Sequence, residues 1–338
     1  MPINATTSPP AQQRQPQPDG ALTAPAAGCV DLQVNGHGGV DFSALTLSVD
    51  GVRRATRALT DQGTLAYCPT VITAPLEVYR HNLPVLAAAM AAPDLARHLP
   101  GVHLEGPFIS PHEGARGAHP LAHVQLPSIA LFDEFWDLAQ GRIKLLTVAP
   151  EQPGAAALIE HAAARGVVVC IGHTQADAAT LEAAVAAGAR LSTHLGNAYP
   201  AQCHPRDNAV WWQLACDRLS ASFITDGHHL PVPFIITALR AKGVDRFIVV
   251  SDAAPITGLP PGDYETMGVP ARLEPSGRVS LRGSRDTLAG SGSTMRACMA
   301  HLASLGLLTP AELRRVSVEN PLQLLGLAPA AVGAPPVC

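Results

Sequence analysis

Between residues 28 and 252 short apolar runs alternate with longer stretches of helical periodicity, and the runs stop at prolines, glycines or polar residues. Runs this short, rich in Val, Leu, Ile and Ala, read as strands of a parallel sheet whose crossovers are helices. Strands are expected at 29–35, 64–70, 102–105, 143–149, 167–172, 190–193, 219–225 and 246–250. Helices are expected between them at 49–62, 76–92, 128–139, 154–165, 176–187, 208–217 and 232–242, with Gly188 as a helix stop. Eight such units predict an α/β chain closed into a (β/α)8 TIM-like barrel.

Length alone would divide 338 residues into two domains, but a single barrel commonly takes about 250. With 47% hydrophobic and only 4% aromatic residues, the core should be Leu, Val and Ala packing. A net charge of -4 argues against nucleic acid as a partner, because phosphate-backbone binding needs a basic surface. No apolar run approaches the roughly 18 residues of a membrane span, and the start of the chain lacks the basic and apolar segments of a secretory signal. The seven cysteines include no CxxC pair, so buried, reduced thiols in a cytoplasmic protein are expected. Residues 1–27, aperiodic and rich in Pro and Gln, read as a disordered arm, and 328–338 as a loose tail. Between them, 28–327 should form the barrel, with a hairpin near 269–281 around Pro275-Ser276-Gly277 and helices at 294–305, 310–316 and 320–327.

Polar residues gather at the expected C-terminal strand ends: Gln33 and Asn35, Glu105, His173, His194 and Asp252. In a (β/α)8 barrel these ends converge on one face, where active sites sit. Taken singly, each has a structural reading. Glu105 would pair with Arg116, Asp252 would cap a helix, and Gln33 and Asn35 would bond turn backbone. Taken together, one Glu and two His make a donor set for a divalent metal with an open position, and Zn²⁺ suits it, with Fe²⁺, Co²⁺ or Mn²⁺ as alternatives.

The segments DLQVNGHGGVDF (31–42), HLEGPFISPHEGARGAHP (103–120), TVAPE (147–151), IGHT (171–174), THLGNAYP (193–200), TDGHH (225–229), SDA (251–253), TLAGS (287–291) and ENPLQLLGL (319–327) closely resemble the N-acetylglucosamine-6-phosphate deacetylases of the amidohydrolase superfamily. The resemblance implies Glu105, His173 and His194 as metal ligands, Asp252 as general base and acid, and His119 beside the acetamido group. It implies substrate contacts from Ala118, His119, Asn197, Ala198, Arg206, His229, Leu288, Ala289 and Gly290. Many amidohydrolases carry HxH after the first strand, which helps to hold a second metal. Here Gln33-Val34-Asn35 stands there, a vestigial second-metal position that implies one ion per subunit.

The implied reaction is hydrolysis of N-acetyl-D-glucosamine 6-phosphate to D-glucosamine 6-phosphate and acetate by a metal-activated water, in amino-sugar catabolism. The implied partners are this small molecule and a second copy of the chain in a homodimer. A different amino-sugar phosphate, such as N-acetylgalactosamine 6-phosphate, or an inactive sugar-phosphate binder are the alternatives. Family members usually carry a small β-sandwich built from strands flanking the barrel. Neither part is recognisable here, so the sandwich is expected to be largely missing.

Overall fold

The computed structural model describes residues 28–200, 202–283 and 288–334. The expected arm at 1–27, and the end of the expected tail at 335–338, lie outside the described residues. Eight parallel strands form one sheet in sequential order. They are β1 (Cys29–Val34), β2 (Thr64–Ile72), β3 (Val102–Glu105), β4 (Ile143–Val148), β5 (Val168–Ile171), β6 (Ala189–Ser192), β7 (Ser220–Ile224) and β8 (Phe247–Val250). Each is followed by a helix: α1 (Val49–Thr60), α2 (Leu76–Ala91), α3 (Ile129–Leu138), α4 (Ala155–Ala164), α5 (Ala178–Ala186), α6 (Ala209–Ala215), α7 (Val232–Lys242) and α8 (Met295–Ser304). Helix starts are set locally. Ser48, Ser128, Asp177, Asn208 and Thr294 each accept a hydrogen bond from a first-turn N–H of the helix that follows.

The barrel closes where β1 meets the end of β8. Val34 bridges Ala253, Asn35 N donates to Ala253 O at 2.9 Å, and Asp252 N donates to Gln33 O at 3.1 Å. Below this seam the buried Asp31 carboxylate accepts from Ser251 Oγ at 2.5 Å and from Ser251 N at 3.2 Å. Leu32, Cys68, Leu145, Cys170, Leu191, Ile224 and Ile248 form one buried cluster. Side chains drawn from seven strands of a closing barrel can meet only inside it. A larger cluster, including Val52, Leu83, Phe132, Leu158 and Leu181, packs helices onto the outside.

Leu324 and Leu325 join the interior cluster from α10 (Asn320–Leu325), which follows α9 (Pro310–Arg314) and a π-helical turn, Arg315–Glu319. Asn320 Nδ2 donates to Val244 O and Phe247 O at the start of β8, so α10 lies across the end of the barrel opposite the strand tips.

The hairpin at 269–281 is present with one strand more than expected, and two other expectations need correction. The hairpin near 269–281 is part of a three-stranded antiparallel sheet, β9 (Gly262–Thr266), β10 (Val269–Leu273) and β11 (Val279–Leu281). The first of these, GDYET, carries too little apolar character to announce itself as a strand. Residues 328–334 are not loose: Pro329–Val332 form a 3-10 helix, and Val332 and Ala334 are buried with Val30, Ala66 and Leu322. Cys203 is exposed and Cys216 half-buried, whereas Cys29, Cys68, Cys170 and Cys298 are buried free thiols. Among the described residues the three-stranded sheet and a two-residue ribbon after β1 are the β-structure outside the barrel.

Candidate metal centre and active site

Three strand tips deliver Glu105, His173 and His194 to one point. Glu105 Oε1 lies 2.8 Å from His194 Nε2 and 3.1 Å from His173 Nε2, and the two imidazole nitrogens are 3.1 Å apart. All three side chains are buried. Gly172 lets His173 approach: a Cβ there would lie 2.7 Å from Thr193 Cβ and 2.9 Å from Thr147 Cγ2. His173, His194 and Asp252 all have left-handed backbones, with φ of 51°, 28° and 51°. Strain of this kind, on the order of 1–3 kcal/mol per residue, persists where surrounding packing over-determines the conformation.

The donor set fits a divalent cation. Ala115 O can only accept, so the hydrogen bond at 3.0 Å places a proton on His173 Nδ1. A ring with that one proton turns a bare lone pair toward the Glu105 carboxylate. Two acceptors in contact repel unless a positive charge stands between them, and an imidazole held by a backbone carbonyl is the usual support of a metal-ligating His. Among the described residues this trio is the one group of three or more His, Cys, Asp or Glu whose ligand atoms lie within 4.8 Å of one another. Burial alone would raise the Glu105 carboxyl, but positive charge facing it, on the imidazoles or on a cation standing in their place, holds it well below the usual carboxylate range.

Beside this trio lies Asp252. Gln33 Nε2 donates to Glu105 Oε1 at 2.8 Å and to Asp252 Oδ1 at 2.9 Å, and Asn35 Nδ2 donates to Asp252 Oδ1 at 2.8 Å. The neutral Gln33 amide therefore bridges the two carboxylates, and the Asn35 amide holds Asp252 beside it. With these protein groups alone, burial and then the Glu105 charge push the Asp252 carboxyl up to about 6, while His194 and His229 pull it back.

The loop after β3 turns back over the trio and sets the His119 ring 4.4 Å from that of His173. Burial, reinforced by His173, drives the His119 imidazolium down to about 3, so the ring is neutral near pH 7. His229 Nδ1 donates to the Asp226 carboxylate at 2.9 Å, and its buried Nε2 has no partner among the described residues. Ala118, His119, Asn197, Ala198, His229, Leu288 and Gly290 line one cavity with the trio and Asp252. The cavity they enclose has a volume of about 80 Å³.

Ala289 is fully buried and does not line this cavity. Arg206 stands exposed on the loop before α6, also outside the cavity wall. Sequence reasoning missed Ile72 and Met267, which complete the apolar wall. Ile72 was within reach, since β2 runs two residues past its expected end and pairs Ile72 with Glu105. Met267 had no local signal: it sits at the turn between β9 and β10, and only the fold carries it to the cavity.

The chain is 37% identical to N-acetylglucosamine-6-phosphate deacetylase of Bos taurus over 320 residues, which covers 91% of this chain and 75% of that one. It belongs to the N-acetylglucosamine-6-phosphate deacetylase family. A Bacillus subtilis deacetylase is 31% identical over 303 residues, covering 89% of this chain and 75% of the relative. Among solved structures, a mutant deacetylase from Mycobacterium smegmatis in complex with N-acetyl-D-glucosamine-6-phosphate superposes with a TM-score of 0.81 at 30% identity. That match covers 91% of this chain and 80% of the other. The deacetylase from Pasteurella multocida gives 0.80 at 27% identity, covering 89% and 76%. No family model matches the chain.

Proposed function

We propose that this chain hydrolyses the acetamide of N-acetyl-D-glucosamine 6-phosphate to D-glucosamine 6-phosphate and acetate, the reaction named for its relatives. The observation that carries the reading is the convergence of Glu105, His173 and His194, with Asp252 pinned beside them. Glu105 Oε1, His173 Nε2 and His194 Nε2 would hold one divalent ion. Zn²⁺ suits two imidazoles and a carboxylate, and Fe²⁺, Co²⁺ or Mn²⁺ can use the same donors. When bound, such an ion supplies Lewis acidity, acidifying a water and polarising the amide carbonyl. One ion rather than two is supported by the Gln33 amide, which bridges the carboxylates that a second cation would share, and by the Asn35 amide, which holds Asp252.

Asp252 accepts a proton from the attacking water as its oxygen bonds to the carbonyl carbon. The same carboxyl then returns the proton to the amide nitrogen as the C–N bond breaks, since an amide anion is a poor leaving group. A carboxyl raised toward neutrality serves both steps better than one at its ordinary value. His119 donates a hydrogen bond to the carbonyl oxygen as charge gathers there. Ala118, Asn197, Ala198, His229, Leu288 and Gly290 position the sugar phosphate, with Ala289 supporting the wall from behind and Arg206 as an outlying phosphate contact.

The reading extends to a cytoplasmic homodimer in amino-sugar catabolism. Buried free thiols suit a reducing compartment, and among the described residues no helix is long and apolar enough to cross a membrane. A dimer interface would cover exposed apolar side chains such as Trp211 and Leu126. The test is acetate release from N-acetyl-D-glucosamine 6-phosphate alongside metal analysis. One equivalent of divalent metal and turnover abolished by chelation are expected. Asp252→Asn should lower kcat by about 100- to 10,000-fold with the metal retained. A metal-free protein without turnover, or an Asp252→Asn variant at wild-type rate, would overturn the reading.

A further inference from the structure

Thr73 has no role in the chemistry above, yet among the described residues it is the one hydrogen-bond partner of the His119 ring. It lies just past β2, buried, with Oγ1 2.9 Å and the backbone N 3.4 Å from His119 Nδ1. The two contacts have unequal meaning. A hydroxyl can donate or accept, but a backbone N–H can only donate. Nδ1 must therefore present its lone pair to Thr73, and the hydroxyl donates to the same atom. The ring's single proton is left on Nε2, which has no protein partner among the described residues, in a ring that lines the cavity.

Thr73 fits only because of the residue that follows Glu105. Gly106 has φ of 96°, and a Cβ there would lie 2.2 Å from Thr73 Oγ1. Any other side chain at 106 would drive the hydroxyl away from His119. The glycine in the HLEGPF segment thus has a second consequence besides turning the chain after a proposed metal ligand.

We propose that Thr73 is a positioning residue that fixes His119 as the Nε2–H tautomer, so that a neutral imidazole donates its hydrogen bond to the carbonyl oxygen of the substrate amide. The inference rests on the deacetylase reading for the identity of the acceptor. The tautomer itself does not depend on that reading. A ring released from Thr73 would also populate the Nδ1–H form, whose Nε2 is an acceptor and repels a developing oxyanion. The ion at the trio would be unaffected, because among the described residues Thr73 makes no side-chain hydrogen bond to its three proposed ligands.

The test compares Thr73→Val, which keeps the shape and removes the hydroxyl, with Thr73→Ser, which keeps the hydroxyl. For the metal-loaded enzyme the expected result is a kcat lowered about 10-fold or more in Thr73→Val, against the 100- to 1,000-fold typical of removing an oxyanion donor outright. KM and metal content should stay close to wild type, and Thr73→Ser should restore kcat. Two-bond 15N–1H spectra of histidine-labelled, zinc-loaded wild type should show His119 protonated at Nε2, with Nδ1–H signal appearing in Thr73→Val, where only the long 3.4 Å backbone contact is left to oppose it. A His119 protonated at Nδ1 in wild type, or unchanged kcat in Thr73→Val, would overturn the proposal. If wild type released no acetate, the deacetylase reading would fall, while the spectra would still decide the role of Thr73.

Discussion

Gln33 joins Glu105 to Asp252 through its amide, and Asn35 adds a second amide donor to Asp252. Their amide groups supply hydrogen bonds to carboxylates that would otherwise repel across a buried space, and they do it without charge. Amides are poor metal ligands beside imidazole. Replacing both by His removes these donors and adds two nitrogen ligands beside the carboxylates. On the one-ion reading, the double variant Gln33→His/Asn35→His should take up one equivalent of divalent metal more than wild type. Elemental analysis after dialysis against zinc measures this directly. The proton on His173 Nδ1 and the neutrality of His119 belong to the same scale: a backbone carbonyl sets the first and burial the second.

At the scale of elements, the seam between β1 and β8 depends on more than backbone pairing. Asp31 reaches across it to the hydroxyl and the N–H of Ser251, the residue just before Asp252. Burial is the largest influence on the Asp31 carboxyl and pushes it up to about 7 from 3.8, despite these hydrogen bonds. The folded chain thus keeps a proton that the unfolded chain has already lost between pH 4 and pH 7. The unfolded state binds fewer protons in that window, so stability falls as pH rises through it and levels off above pH 7. The shift corresponds to as much as about 4 kcal/mol. Asp31→Asn cannot ionise and should lack this slope. Urea titrations of wild type and variant at pH 5 and pH 8 should show the wild type losing more stability between the two. Equal losses would count against Asp31 as the source.

At the scale of the whole molecule, the barrel is closed at one end by chemistry and at the other by α10. Asn320 pairs with two carbonyls at the start of β8, and Leu324 and Leu325 enter the interior cluster. Leu322, fully buried, packs instead with Val30, Ala66, Val318 and Val332, tying the last described residues to β1 and β2. Leu322→Ala should lower stability by about 2–5 kcal/mol through the cavity it leaves. Asn320→Ala should cost about 1–3 kcal/mol, since it strands buried carbonyls. Both sites lie at the end away from the strand tips, so calorimetry should report a lower Tm for each. The folded fraction should keep its metal and its kcat.

The sequence alone determined the barrel and the identity of most side chains at its mouth. Strand and helix periodicities are written within a few residues, and so are the caps at Ser48, Ser128 and Asp177. Polar residues ending apolar runs mark the strand tips for the same local reason. What only the tertiary structure decided are the contacts made by closing the ring, such as Gln33 to Asp252, which are 219 residues apart. The placement of Met267, the packing of 328–334 and the partnership of Thr73 with His119 are of this kind. No periodicity encodes them, because they depend on which side chains face each other across a barrel mouth. The same closure selects the proton-bearing nitrogen of each ring: His173 meets a carbonyl and His119 meets an N–H, and neither neighbour is near in sequence.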